Sequence, residues 1–172
     1  DGVPQTIQRI ETLEAPVTVA MVVEYRNYYW EFLYDTYQAA GGFVNSLQPD
    51  DWVALIFYDL KTEIVQDFTH NKSAVLDDLN MLQTPGFSEA NLFDAVSETV
   101  DRMQDIAGKK AILLVASGED TFSKIHYDQV LKKVQASEQA VAGSWNYTNP
   151  AWKNAGYWHE KWNPQVQADF LT

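Results

Sequence analysis

The sequence predicts a doubly wound α/β domain: a mostly parallel sheet with helices on both faces and an antiparallel hairpin at one edge. Three observations lead there. Segments apolar on both faces, such as Val17–Val23, Trp52–Tyr58 and Ala111–Ala116, alternate with segments whose apolar residues recur every three or four positions. Strands covered on both faces lose the polar alternation of half-exposed ones, and helices between such strands make the sheet parallel. The link Asp59–Thr62 is too short for a crossover, so the strand after it must turn back antiparallel.

The elements follow in order. Residues 1–14 are polar and weakly patterned, and read as an arm leading into the domain. Val17–Val23 is a central strand. Leu33, Tyr37, Ala40, Val44 and Leu47 form one helical stripe, ended by Gln48, Pro49 and Asp50. Trp52–Tyr58 is the second strand. Glu63–Phe68 is more polar, as suits an edge. Asn71–Leu82 is helical, with Val75, Leu79 and Leu82 on one side, and Thr84, Pro85 and Gly86 break it. A further helix carries Leu92, Val96, Val100 and Met103 and closes near Gly108. Ala111–Ala116 is the most β-like buried run. Ser117–Asp120 follows it at once, and a last helix holds Tyr127, Val130, Leu131 and Val134.

From Ser137 to Thr172 the pattern is lost. Four of the six tryptophans lie there, interrupted by Asn, Gly and Pro, and Ala140–Trp145 is at most a short fifth strand. The expected organisation is therefore an arm at 1–14, a domain at 15–136, and an aromatic-rich extension at 137–172 packing on or beyond it. The last strands of the sheet are expected to be missing or atypical.

Composition narrows the function classes. A chain of 172 residues suffices for one domain with a full core, burying roughly 68–70% of its unfolded surface. A formal net charge of −12 argues against a nucleic-acid partner, since no Lys/Arg stripe is available to neutralise phosphates. It leaves room for a basic protein partner or a divalent cation. Cysteine is absent, which removes disulfides and thiolate metal sites. No apolar run reaches the roughly 18 residues of a membrane span. Asp1 at the start is read as a processed or trimmed end, with which a signal peptide or anchor could have been lost.

In doubly wound sheets, ligands sit beyond the carboxyl ends of the strands. Those ends carry Glu24–Tyr28, Gly86–Ala95 and Ser117–Asp120. The order of elements, with an amphipathic helix after the first strand and an edge hairpin next, resembles the von Willebrand factor A (VWA) fold. Asp1–Gln5, Ala15–Pro16, Gly86–Asn91, Leu92–Ala95 and Asp120–Lys124 resemble the VWA-related domains of secreted acidobacterial proteins. The resemblance covers about residues 1–136, with an echo at Asp169–Leu171.

That resemblance implies an exported bacterial protein, periplasmic or extracellular. It also implies a position where the family holds Mg²⁺, through an Asp-x-Ser-x-Ser loop, a Thr and an Asp. Here the loop positions read Glu24, Arg26 and Tyr28, the Thr position falls on Ala90, and the Asp position falls on Ser117. Arg26 places a positive charge where the ion belongs and has Glu24 as a partner. No metal is therefore expected; if Mg²⁺ or Ca²⁺ binds, Glu24 and Ser117 keep the oxygens able to reach it.

Other candidates weigh less. Glu119 and Asp120 form a carboxylate pair of the kind used in acid–base chemistry, but they also suit a polar loop capping the following helix. Asp94 suits a bond to a neighbouring loop backbone. His70, His126 and His159 show no metal-ligand spacing, Ser117–Gly118 lacks the Gly-x-Ser-x-Gly elbow, and Gly41–Gly42 lies inside a helical pattern. Asn71–Ser73 and Asn146–Thr148 match glycosylation sequons.

The function expected from these residues is a non-catalytic interaction or scaffolding module, an accessory subunit of a multi-subunit or membrane-associated assembly. Its first surface is the loop face: Glu24, Arg26, Tyr28, Ser88, Ala90, Asn91, Ser117, Glu119 and Asp120. Its second is the aromatic tail: Trp145, Tyr147, Trp152, Tyr157, Trp158 and Trp162. The tail can equally fold back over the sheet. Two alternatives stand beside this reading: a Mg²⁺- or Ca²⁺-dependent adhesion module using Glu24, Ser117 and Glu119, and a hydrolase using the acidic loop.

Overall fold

Strand β1 (Val17–Glu24) lies at the centre of a five-stranded sheet of order β3-β2-β1-β4-β5. The computed structural model describes residues 15–27, 30–81, 85–137 and 140–144. β1 runs parallel to β2 (Trp52–Tyr58) on one side and to β4 (Lys109–Val115) on the other. β3 (Thr62–Thr69) returns antiparallel to β2 and forms one edge, with register shifts around Leu55. The hairpin turn is fastened by Asp59, whose N–H donates to the Lys61 carbonyl and whose carboxylate accepts from the Lys61 N–H, both at 3.1 Å.

The period of two along β1 sorts the core into two halves. Ala20 and Val22 face one layer, with Ile56, Tyr58 and Ile112 beside them. Against these pack α3 (Leu92–Met103) through Leu92, Val96, Val100 and Met103, and α4 (Tyr127–Ala136) through Val130 and Val134. Met21 and Val23 face the other layer with Val53, Leu55, Phe57 and Val115. There α1 (Trp30–Ser46) contributes Ala40 and Val44, and α2 (Lys72–Asn80) contributes Val75 and Leu79. Each Val, Leu, Ile, Phe or Met among these, removed from water, stabilises the fold by about 1.5–3 kcal/mol.

Helix ends follow local chemistry. The Asn71 side chain accepts from the Ala74 N–H at 3.2 Å and starts α2, so this sequon asparagine serves as a cap. The Gln129 side chain reaches back to the His126 N–H at 2.9 Å and starts α4. Between α3 and β4 the chain turns at Gly108, whose φ of +90° suits a residue without Cβ.

The short segment expected near Ala140 is a true strand. β5 (Ala140–Ser144) pairs parallel with β4, from Ala111↔Ala140 to Val115↔Ser144, so the sheet runs past residue 136. The expected arm at 1–14 and the tail beyond Ser144 lie outside the described residues. Among the described residues, no helix is long and apolar enough to cross a membrane.

Candidate functional site

The site grows from the ends of β1 and β4, which the parallel pairing brings side by side at Val23↔Val115. One residue further along β1, the buried Glu24 carboxylate turns toward the next strand's exit. Its Oε1 accepts from the Ser117 hydroxyl at 3.0 Å, and its Oε2 accepts from the Ser117 backbone N–H. Gly118, at φ +85°, turns the chain in the left-handed region. Past that turn, the Glu119 N–H donates to Ser117 Oγ at 3.2 Å.

Arg26 closes this arrangement. Only 2% of the residue is exposed. Its Nε lies 2.5 Å from Glu24 Oε1, and its Nη2 pairs with Glu119 Oε2. Nη2 also donates to Ser117 Oγ at 3.4 Å, and Nη1 donates to the Ser88 carbonyl at 3.3 Å. One guanidinium thus meets oxygens from the β1 exit, the loop before α3, and the loop after β4. Its planar fork can do this; an ammonium could not hold so many fixed directions.

A second set of bonds ties the same loops together. Asn27 N–H donates to the Phe87 carbonyl at 2.7 Å, and Asn91 N–H to the Asp59 carbonyl at 2.8 Å. Ala90 is wholly buried and works through its backbone. Its N–H donates to Thr121 Oγ1 at 2.9 Å, and its carbonyl accepts from Thr121 and Phe122 at 2.8 and 2.9 Å. Asp120 turns away from Glu119. Its Oδ1 accepts from the Phe93 N–H at 3.3 Å and from the Ser123 hydroxyl. It thereby caps α3, whereas capping of the following helix was expected. Asp94 binds the backbone N–H groups of Lys124 and Ile125 at 3.0–3.2 Å.

The structure therefore gathers Glu24, Arg26, Ser117, Glu119 and the Ser88 carbonyl into one network. Ala90, Asn91 and Asp120 sit in the loop scaffold beside it. Tyr28, Trp145, Tyr147, Trp152, Tyr157, Trp158 and Trp162 lie outside the described residues. Sequence reasoning missed Tyr58, which ends β2 opposite Glu24 in the register. Burial pushes its hydroxyl pKa well up, and the charges of Glu24 and Asp120 add to the rise while Arg26 opposes it. The alternating strand pattern placed that side chain in a layer; only strand register could place it beside Glu24. Ser123 was also missed, although a hydroxyl so soon after an acidic pair is a fair signal for loop fastening.

These groups do not fit a hard divalent cation. Mg²⁺ needs near-octahedral oxygens, and the space between Glu24, Ser117 and Glu119 is filled by the guanidinium of Arg26. Among the described residues, no three His, Asp or Glu side chains converge as a metal group. The acidic pair is also split, Glu119 toward Arg26 and Asp120 toward α3. A cleft of about 200 Å³ lies elsewhere, against β3 and α3, lined by Ile56, Thr62, Ile64, Glu98, Thr99 and Arg102.

No family model matches the sequence, nor does any curated protein. Solved structures do. The vWF domain of the type V pili tip protein Mfa5 from Porphyromonas gingivalis aligns with 64% of this chain at 18% identity and a TM-score of 0.54. An aerotolerance-related membrane protein from Bacteroides fragilis aligns with 74% at 14% identity and a TM-score of 0.63. The conserved hypothetical protein BatB from Bacteroides thetaiotaomicron aligns with 74% at 15% identity and a TM-score of 0.57. The chain spans 40%, 66% and 65% of these structures, and 20% of a three-domain structure of the same tip protein. With a central parallel sheet, an antiparallel edge and two helices on each face, the described residues form a VWA-like α/β domain.

Proposed function

We propose that this domain is a non-catalytic protein-interaction module that engages its partner through the loop face without a divalent metal, as an accessory part of an assembly at a bacterial cell envelope. The observation that carries this reading is a pair of exposed aromatics around a closed polar centre. Phe87 is 46% exposed and Phe122 53% exposed. The backbone bonds of Asn27 to Phe87 and of Phe122 to Ala90 hold them on the two loops that flank Arg26. Aromatic side chains on well-anchored loops bury large area at small entropic cost, as binding hot spots do. Glu89 and Glu119 stand on the same loops in a chain of net charge −12, which suits a basic partner segment. The pilus-tip and aerotolerance-related relatives in fold support an envelope setting.

The test is site-specific photo-crosslinking in the native host. A benzophenone amino acid replaces Phe87, Phe122 or, as a control, the exposed Tyr34 on α1. The reading expects one shared adduct from positions 87 and 122, none from 34, and equal yield in EDTA. Equal adducts from all three positions would refute a loop-face partner. Loss of the adduct in EDTA would favour the metal-dependent adhesion module instead.

A further inference from the structure

We infer that Arg26 is the resident cation of the loop face: a tethered positive charge that does the work a bound divalent ion would otherwise do, and keeps the three loops in one arrangement with or without divalent ions. Two carboxylates, a hydroxyl and a backbone carbonyl point at its guanidinium from three separate chain segments: Glu24, Glu119, Ser117 and Ser88. Among the described residues, and with the guanidinium set aside, these four groups are all oxygens and carry a net negative charge, the chemical preference of a hard cation. The carboxylates are also largely buried: the Glu24 side chain is 8% exposed and the Glu119 side chain 27%. Two carboxylates in such a place require a compensating charge.

A bound ion meets that need only while its concentration exceeds its dissociation constant. Arg26 meets it at fixed local concentration, because the same chain carries both charges. The loops that present Phe87 and Phe122 are then set at folding and not by a later binding event. Whether this constancy serves partner binding rests on the function proposed above; the charge arrangement itself does not.

Removing the side chain should uncover a cation site that the native chain lacks. The experiment compares thermal unfolding midpoints in EDTA and in millimolar Mg²⁺ or Mn²⁺ for the native chain, Arg26→Ser, and Arg26→Ser with Glu24→Gln. The native midpoint should not respond to either ion. Arg26→Ser should unfold at a lower temperature in EDTA and regain about 5–10 °C once the ion stands near 100 times its dissociation constant. The double variant should regain nothing. An Arg26→Ser chain that folds but ignores both ions overturns the inference.

Should that variant not fold, the native chain still decides. Its titration with Mn²⁺, followed by the electron paramagnetic signal of the free ion, should match that of Glu24→Gln. Specific Mn²⁺ uptake by the native chain that Glu24→Gln abolishes would mean that Arg26 does not take the cation's place. Partner crosslinking does not enter these readouts, so failure here and failure of the proposed function are told apart.

Discussion

Substituting Ser123 by Ala should destabilise the domain through a helix 30 residues away in sequence. The N-cap of α3 is Asn91, whose side chain makes no capping bond. The first N–H groups of α3 are met instead from the loop after β4. Ser123 Oγ accepts from Phe93 at 3.0 Å and from Asp94 at 3.1 Å, while donating to Asp120 Oδ1. In Ser123→Ala, Phe93 keeps Asp120 as its acceptor at 3.3 Å, and Asp94 loses its side-chain acceptor. Loss of one cap costs about 1 kcal/mol, and a half-buried N–H left unsatisfied raises this to about 1–2 kcal/mol. At this chain length that lowers the midpoint by about 2–8 °C. Asp120→Ala should cost as much or somewhat more, since a negative charge leaves the positive end of the helix. The double variant should fall short of the sum, because both groups serve the Phe93 N–H. Urea unfolding followed by tryptophan fluorescence gives the energies, and amide exchange at Asp94 locates them. A Ser123→Ala loss below about 0.3 kcal/mol with unchanged Asp94 exchange would refute the shared cap.

Three further outcomes follow from the packing and the charges. Asp51→Ala removes a buried carboxylate that accepts from the Val17 N–H at 2.9 Å and the Gln48 N–H at 2.7 Å; urea unfolding should show a loss of about 1.5–3 kcal/mol, as for hydrogen bonds to a charged group. Leu55→Ala, at a fully buried position, should cost about 2–5 kcal/mol in the same assay, whereas Ile64→Ala on the edge strand, 43% exposed, should cost under about 1 kcal/mol. Burial raises the hydroxyl pKa values of Tyr58 and Tyr37 above the ordinary tyrosine value. A raised folded-state pKa gives stability that is full below about pH 10 and declines as pH climbs past it. In an alkaline titration read at phenolate wavelengths, these two should ionise only with unfolding, and Tyr58→Phe should reduce that late step.

The parts of the fold legible in the sequence were those with strong apolar contrast. Val17–Val23 and Trp52–Tyr58 had no polar alternation, and both lie in the sheet with helices on each side. The short link before β3 forced the antiparallel edge. β5 was faint because Ala140–Ser144 is short and made of small residues, and its place is set by backbone pairing to β4. At the site, the exchange of charge between Glu24 and Arg26 was readable because two neighbours of opposite sign share one strand end. The partners Glu119 and the Ser88 carbonyl lie 93 and 62 residues from Arg26, and no local pattern joins them. Asp120 was read as a cap for the helix after it, since capping is normally local. Tertiary folding brought the start of α3 closer.

The central place of β1 also bears on how the chain is made. It is the first described strand to leave the ribosome, yet one neighbour, β4, begins at Lys109. At about 5–20 residues per second, roughly 5–20 s separate the two. Throughout that interval an apolar ribbon waits with one hydrogen-bonding edge unpaired, open to any other strand it meets. β2 and β3 follow β1 directly in the chain, so the opposite edge has its native partners long before β4 is made. An unpaired apolar edge of this kind is an aggregation hazard that the unfinished chain carries and the folded domain does not.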